Sequence, residues 1–238
     1  MVLAQFSLQA PGSWLCFSLI LSFLLLSLKS QFPQHWHERL TNFAWFLIPY
    51  LGLLVGGLSP RLMGLNDIDW LASLGLGTGL IFVIILLLIL VRATTEGNVN
   101  ADALEKTKQA SFTARRVIAP PPPAFSIHFE QIVKNGVEEF HWCFVRGAVW
   151  ELLQTAPTPP SLPAYWAVWI AAALVAPETV LRQSAAQRLF NLVVLIATTV
   201  LFFYTRNFWL CWLLHVAAQF VINPRPVQTT LTGNISVR

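Results

Sequence analysis

Charged residues are scarce in this chain, and their scarcity excludes most soluble proteins. Asp, Glu, Lys and Arg make up 11% of the 238 residues, whereas an average soluble domain is about 25% charged. So few charges cannot cover the surface of an ordinary soluble enzyme. Aromatic residues are frequent, with 17 Phe and 10 Trp, and disordered chains are poor in aromatics. The composition therefore predicts an all-α, polytopic transmembrane helix bundle.

Cysteine is also rare, with three residues that form no Cys-x-x-Cys pair. Cys16, Cys143 and Cys211 each fall inside an apolar run, so we expect neither structural disulfides nor thiolate metal sites. A dense basic cluster is missing from the sequence as well. Although the net charge is +4, we therefore expect no nucleic-acid partner.

Apolar segments indicate about seven membrane spans. A bilayer core about 30 Å thick needs roughly 20 apolar helical residues. The first segment could be a secretory signal, but no Lys or Arg precedes it, which favours a retained span. The fifth is short and could instead be a re-entrant or interfacial piece. The segments are 13–28, 42–58, 70–91, 129–153, 165–176, 189–204 and 208–222.

The distribution of basic residues predicts the orientation, because cytoplasmic loops are enriched in Lys and Arg. With seven crossings, one face carries only Arg61 and Arg206. Without the fifth span, Arg182 and Arg188 would move to that face. We therefore expect seven crossings, with the N-terminus outside and the C-terminus inside. The other face then carries eleven basic residues, namely Lys29, Arg39, Arg92, Lys106, Lys108, Arg115, Arg116, Arg182, Arg188, Arg225 and Arg238.

The spans group into two membrane halves joined by a polar segment. Residues 1–91 form an N-terminal half with three spans, and residues 129–222 form a C-terminal half with four. Residues 92–128 are predicted to be a cytoplasmic, proline-rich linker, and residues 223–238 a cytoplasmic tail. We expect an integral protein in contact with membrane lipid, in a bacterial inner membrane or an equivalent internal or organellar membrane.

The fourth span is unusually rich in ionisable side chains, each costing about 2.5–3.5 kcal/mol on insertion scales. At about 100° per residue, Glu138, Glu139 and Arg146 share one face, which favours a helix that lines a polar cavity. A structural alternative is ion pairing of Glu139 with Arg146 and of Lys134 with Glu138. The ionisable residues are Lys134, Glu138, Glu139, His141, Arg146 and Glu151.

The seventh span carries a polar stripe, because Asn207, Cys211, His215 and Gln219 recur every fourth residue. Helical rise places Glu138 and Glu139 roughly 14–15 Å along the fourth span. His215 lies roughly 10–11 Å from the inner end of the seventh. The carboxylates and the imidazole are therefore expected at similar depth, in the cytoplasmic half.

Together these motifs resemble the CPBP (Abi) family, the type II CAAX-protease-like intramembrane glutamic endopeptidases. The resemblance covers mainly residues 129–222 and rests on Glu138-Glu139, Arg146-Gly147 and His215-x-x-x-Gln219. Three features depart from the family pattern. The arginine follows the second glutamate by two helical turns instead of one, and Gln219 replaces an asparagine. The fifth span lacks the family's middle histidine, for which His141 could substitute.

The resemblance implies hydrolysis of peptide bonds in membrane-linked substrates, such as prenylated proteins, without a covalent intermediate or a cofactor. It implies that Glu138 or Glu139 activates a water, while Arg146 fixes the carboxylate. His215 and Gln219 would orient the water or stabilise the oxyanion. The secondary site candidates are His141 and Asn207.

Three other functions compete with this one. The missing histidine also fits a catalytically inactive relative that acts as a membrane scaffold or assembly factor. A transporter would explain the buried charges, but the chain shows no inverted repeat. A zinc site built from Glu138, Glu139, His141 and His215 lacks the His-Glu-x-x-His spacing, so we expect no metal. A cavity shared by the carboxylates and His215 would favour hydrolysis over separate structural ion pairs.

Overall fold

The computed structural model describes residues 9–106, 124–182 and 185–222, and these residues form seven α-helices and no strand. The expected all-α class is confirmed at this level. The helices are α1 (Pro11–Ser27), α2 (Gln34–Leu54), α3 (Trp70–Lys106), α4 (Ala124–Gln154), α5 (Pro163–Arg182), α6 (Ala185–Thr205) and α7 (Phe208–Ile222).

Three helical segments are long and apolar enough to cross a membrane, namely Trp70–Leu90, Pro163–Leu181 and Arg188–Thr205. The helices α1 and α7 are apolar but shorter, with 17 and 15 residues. The third predicted span forms only the first part of α3, which continues to Lys106 within the predicted linker. The rest of that linker, residues 107–123, and the predicted tail lie outside the described residues.

Helix α5 is longer than the sequence pattern indicated. The predicted span ended at Ala176, because Pro177 and Glu178 are typical of a helix boundary. Instead, Pro177 lies inside the helix, which ends at Arg182 after 20 residues. Within a membrane the backbone polar groups must be satisfied internally, so a helix that continues through a proline is more stable than an exposed loop.

Helix α4 lies at the centre of the bundle, in contact with α1, α2, α5 and α7. Its second half is buried, including Trp142, Phe144, Val145 and Ala148. Helix α3, in contrast, packs on α6 and α7 and exposes most of its apolar surface. The helix with the most ionisable groups is therefore surrounded by protein, and the most apolar helix is peripheral.

The loop between α2 and α3 closes one end of the bundle. Gly64 has a φ of +71°, and its carbonyl oxygen accepts a hydrogen bond from the Phe208 amide at 3.0 Å. The adjacent Met63 is fully buried against Gly147 of α4. This loop therefore joins the middle of α4 to the turn between α6 and α7, where Arg206 packs over the Trp150 ring.

Candidate functional site

Glu139 and Arg146 form a buried ion pair on α4. Nη1 of Arg146 donates to Oε1 of Glu139 at 2.7 Å, and both side chains are almost completely inaccessible. Nη2 of Arg146 donates to the hydroxyl groups of Thr198 at 3.0 Å and Thr199 at 3.4 Å. Seven residues make about two helical turns, so the two side chains share one face of α4. The arginine thereby connects Glu139 to α6.

His215 of α7 faces the other oxygen of the same carboxylate. Its Nδ1 lies 3.5 Å from Oε2 of Glu139, slightly beyond the usual hydrogen-bond distance. The ring stacks on Trp142, with centroids 5.1 Å apart and planes inclined by 19°. Glu139 and Trp142 therefore fix the position of the imidazole between α4 and α7.

Two buried thiols complete the surroundings of this ion pair. Sγ of Cys143 lies 3.7 Å from Oε1 of Glu139, and Sγ of Cys211 lies 3.5 Å from the carbonyl oxygen of Thr198. Both cysteines are free and fully buried, whereas Cys16 is free and exposed. Cys143 thus packs against the Glu139 carboxylate, and Cys211 packs against α6 beside the threonine that binds Arg146.

A polar cavity of about 980 Å³ lies next to this cluster. It is lined from α1, α2, α4, α6 and α7, and its lining includes Lys134, Asn135, Glu138, Asn191, His215 and Gln219. The sequence predicted that Glu138, His215 and Gln219 belong to one site, and the structure brings these three to one cavity. Glu139 and Arg146 lie immediately behind its wall.

Glu138 differs from Glu139 in its contacts. Its side chain is 5% exposed and lines the cavity. Within the described residues the carboxylate has no hydrogen-bond or ion-pair partner. Lys134, four residues earlier, also lines the cavity, but no ion pair joins it to Glu138. The i,i+4 pair that the spacing allowed is therefore not formed, and Glu138 faces the cavity as a free carboxylate.

The secondary candidates lie elsewhere. Oδ1 of Asn207 accepts hydrogen bonds from the backbone amides of Trp209 at 2.9 Å and Leu210 at 3.3 Å, so this residue caps the start of α7. His141 does not line the cavity, since its Nε2 lies 3.3 Å from Oε2 of Glu178 and its ring stacks on Trp45. Neither residue joins Glu138 and His215.

Several residues of the site were not predicted. Thr198 and Thr199, which bind Arg146, were not predicted to belong to the site. Two adjacent hydroxyl side chains in the apolar sixth span are the signal that could have indicated them. Trp142, which stacks on His215, was not singled out either, although it lies only about 40° from Glu138 around α4. Glu178 lay beyond the predicted end of the fifth span, so its pairing with His141 was missed.

Within the described residues, no group of three or more His, Cys, Asp and Glu side chains is placed to hold a metal ion. Comparison of the chain with protein-family models, with curated proteins and with solved structures gave no match. The resemblance to the CPBP family therefore rests on the sequence motifs alone.

Proposed function

We propose that this protein is an intramembrane endopeptidase that hydrolyses membrane-linked peptides with a glutamate-activated water. The observation that carries the proposal is the contrast between two adjacent carboxylates. Glu138 lines a large polar cavity and has no partner among the residues that the structure describes, while Glu139 is buried between Arg146 and His215. The Glu138 carboxylate is therefore available for reaction, while Glu139 holds Arg146 and His215 in place.

Glu138 is the better candidate for the general base. A base must come within about 2.6–3.2 Å of the proton that it removes, so it needs contact with water. Glu139 is fully inaccessible, with Arg146 at one oxygen and His215 facing the other. We therefore assign the proton transfer to Glu138 and a positioning role to Glu139 and Arg146.

His215 and Gln219 supply the remaining polar groups. A carboxylate accepts hydrogen bonds, so the Nδ1 that faces Glu139 carries the ring hydrogen. This leaves Nε2 to accept a hydrogen bond from a water in the cavity. Gln219, one helical turn later, offers an amide donor for the oxyanion. Glu138 would take the proton of the attacking water and return it to the leaving amine.

The proposed orientation places this cavity on the cytoplasmic side. Its walls come from the end of α1, the start of α2, the first half of α4, the start of α6 and the second half of α7. In a bundle of seven crossings all of these meet at one end. The loop assignment from the sequence gives that end eleven of the basic residues counted above, against two for the other. We therefore propose a site that opens to the cytoplasm.

The size of the cavity suits a peptide segment, because ligand pockets typically span about 300–1,000 Å³. Purified protein in liposomes can be tested with a quenched fluorescent peptide that carries a prenyl anchor. We expect cleavage by the parent protein and by Glu130→Gln, which changes an exposed carboxylate on the same helix. Glu138→Gln should lower the rate by about 10²–10⁴-fold. Equal rates for both variants would refute the assignment.

A non-catalytic scaffold is the second candidate, favoured by the way in which Arg146 connects α4 to α6. Buried ion pairs of this kind can fix helix packing without any chemistry. The variant Glu138→Gln discriminates the two functions in cells, because it removes the proposed base and leaves the ion pair of Glu139 and Arg146 intact. A scaffold retains its cellular phenotype in this variant at normal expression, whereas a peptidase loses it.

A further inference from the structure

The walls of the large cavity are unusually polar. Among the described residues that border it, Leu26 and Phe32 are the two apolar ones, and the others carry charged, amide, hydroxyl or imidazole groups. Ligand pockets are more often lined by apolar side chains with a few polar groups. An apolar chain in this cavity would leave the polar walls without hydrogen bonds, which costs free energy. We therefore expect the part of a ligand that enters the cavity to be hydrophilic.

The ionisable residues that α2 and the segment before it contribute to the cavity already have contacts within the chain. Oε1 of Glu38 accepts a hydrogen bond from Nε2 of Gln34 at 3.0 Å. Nε2 of His37 lies 3.0 Å from the carbonyl oxygen of Leu25. Lys29 is also engaged with another group. These residues hold the connection between α1 and α2, so the charges that lack such contacts belong to α4.

Lys134 of α4 is a half-buried cation at the cavity. Within the described residues, its ammonium group has neither a hydrogen bond nor an ion pair. The amides of Gln131 and Asn135, which also border the cavity, bond to each other at 2.8 Å and do not bind the ammonium group. An ionisable group within a membrane-spanning helix is costly and usually marks the path of a substrate or an ion. Lys134 is therefore a candidate contact for a ligand.

Lys134 and Glu138 border the same cavity from one face of α4. They are four residues apart, which separates their Cβ atoms by roughly 5–6 Å. This distance corresponds to about two residues of an extended peptide, at about 3.3 Å per residue. In the proposed orientation, Lys134 lies one helical turn nearer to the cytoplasm. A peptide that presents a bond near Glu138 can therefore place a group about two residues away against Lys134.

We propose that Lys134 binds a carboxylate of the substrate, about two residues from the bond that is hydrolysed. This inference rests on the function proposed above, and it makes the bound segment a hydrophilic, acidic peptide whose lipid anchor stays outside the cavity. The carboxylate belongs to an acidic side chain or to the C-terminus of the peptide, because both offer the same oxygen atoms to an ammonium group. Lys134 thus determines specificity and takes no part in the proton transfer.

The carboxylate of Glu138 lies on the same face of α4 and repels an anionic ligand, whatever its role in hydrolysis. Glu138→Gln should therefore bind an acidic peptide at least as tightly as the parent protein, whereas Lys134→Gln should bind it more weakly. A general loss of structure would weaken binding in both variants. A lysine that only extends to the membrane surface would leave the affinity of its variant unchanged. The two variants thus separate a binding role of Lys134 from both alternatives.

Binding can be measured apart from hydrolysis in the full chain carrying Glu138→Gln, in nanodiscs of zwitterionic lipid. The probes are fluorescent peptides of one hydrophilic sequence with a C-terminal carboxylate, with a C-terminal amide, or with that amide and one glutamate placed at each position in turn. Fluorescence anisotropy should show an acidic form binding at least about 10-fold more tightly than the neutral amide, as for a hydrogen bond between charged groups. The form that gains affinity identifies the source of the carboxylate. Equal affinities, or no binding by any form, overturn the proposal.

Adding Lys134→Gln should remove this preference and leave the affinity for the neutral amide unchanged, which shows that the fold is retained. Lys134→Arg should keep the preference. The matched control is Arg39→Gln, which removes an exposed basic residue of α2 outside the cavity and should also keep it. A preference that persists in Lys134→Gln, or that is lost equally in Arg39→Gln, contradicts the assignment. Absence of cleavage by the parent protein would refute the proposed hydrolysis without affecting these affinities.

Discussion

Nδ1 of His215 lies 3.5 Å from Oε2 of Glu139, so the carboxylate of one helix faces the imidazole of another. The other carboxylate oxygen is bound by Arg146 at 2.7 Å. The negative charge of Glu139 is thereby shared between a permanent cation and a ring that lines the cavity. This arrangement explains how a fully buried carboxylate can influence a site that it does not touch.

Glu139→Gln should change the tautomer of His215. In the parent protein the carboxylate can only accept, which favours the hydrogen on Nδ1. A glutamine amide can donate to Nδ1 instead, which favours the hydrogen on Nε2. Ring ¹⁵N chemical shifts should report this exchange, together with a lower kcat and a nearly constant KM. The control is Glu151→Gln, which lies near the end of the same helix. An unchanged tautomer would contradict the positioning role of Glu139.

Arg146→Met should destabilise the fold strongly, because it leaves Glu139 buried without its cation. Breaking a buried pair by removing one partner typically costs about 3–5 kcal/mol. Adding Glu139→Gln should recover part of that loss, since the uncompensated charge is then removed. Thermal unfolding of the parent, both single variants and the double variant gives the coupling energy. Additive losses would show that the ion pair contributes little.

The helical class and the face shared by Glu139 and Arg146 could be predicted from periodicity alone. A spacing of seven residues places two side chains on one face regardless of the tertiary structure. The opposite surroundings of Glu138 and Glu139 could not be predicted. These residues differ by about 100° around one helix, and which of them meets a cavity depends on the helices that pack on either side.

Contacts between residues far apart in the chain could not be predicted from the sequence, for a similar reason. His141 pairs with Glu178, 37 residues later, in a segment where Pro177 indicated a helix end. Asn207 continued the polar stripe of the seventh span, yet it stands at the start of α7. There its side chain binds backbone amides that lack helical partners. Periodicity predicts which residues share a face of a helix. It predicts neither where the helix ends nor which helices pack against it.

Gly64→Ala should destabilise the protein more than Gly56→Ala. Both glycines have positive φ angles, +71° and +73°, so alanine is strained at either position. A Cβ atom at Gly64 would lie 2.6 Å from the backbone oxygen of Arg206, whereas nothing lies within 4 Å at Gly56. Gly56→Ala should therefore lower the free energy of unfolding by about 1–2 kcal/mol. Gly64→Ala should lower it clearly more. Equal shifts in thermal unfolding would show that the loop can move away from Arg206.

The proposed orientation predicts which loops an impermeant maleimide can reach. In a Cys16→Ser background, the buried Cys143 and Cys211 should remain unlabelled in the folded protein. Gln31 and Asn66 are exposed and lie in different connections, after α1 and before α3. With the N-terminus outside, Asn66→Cys should be labelled from the outer face of intact cells. Gln31→Cys should be labelled only in inverted vesicles, because the first helix carries the chain to the inner face. Labelling of both variants from the same face would rule out a crossing by α2 and, with it, the proposed opening of the Glu138 cavity to the cytoplasm.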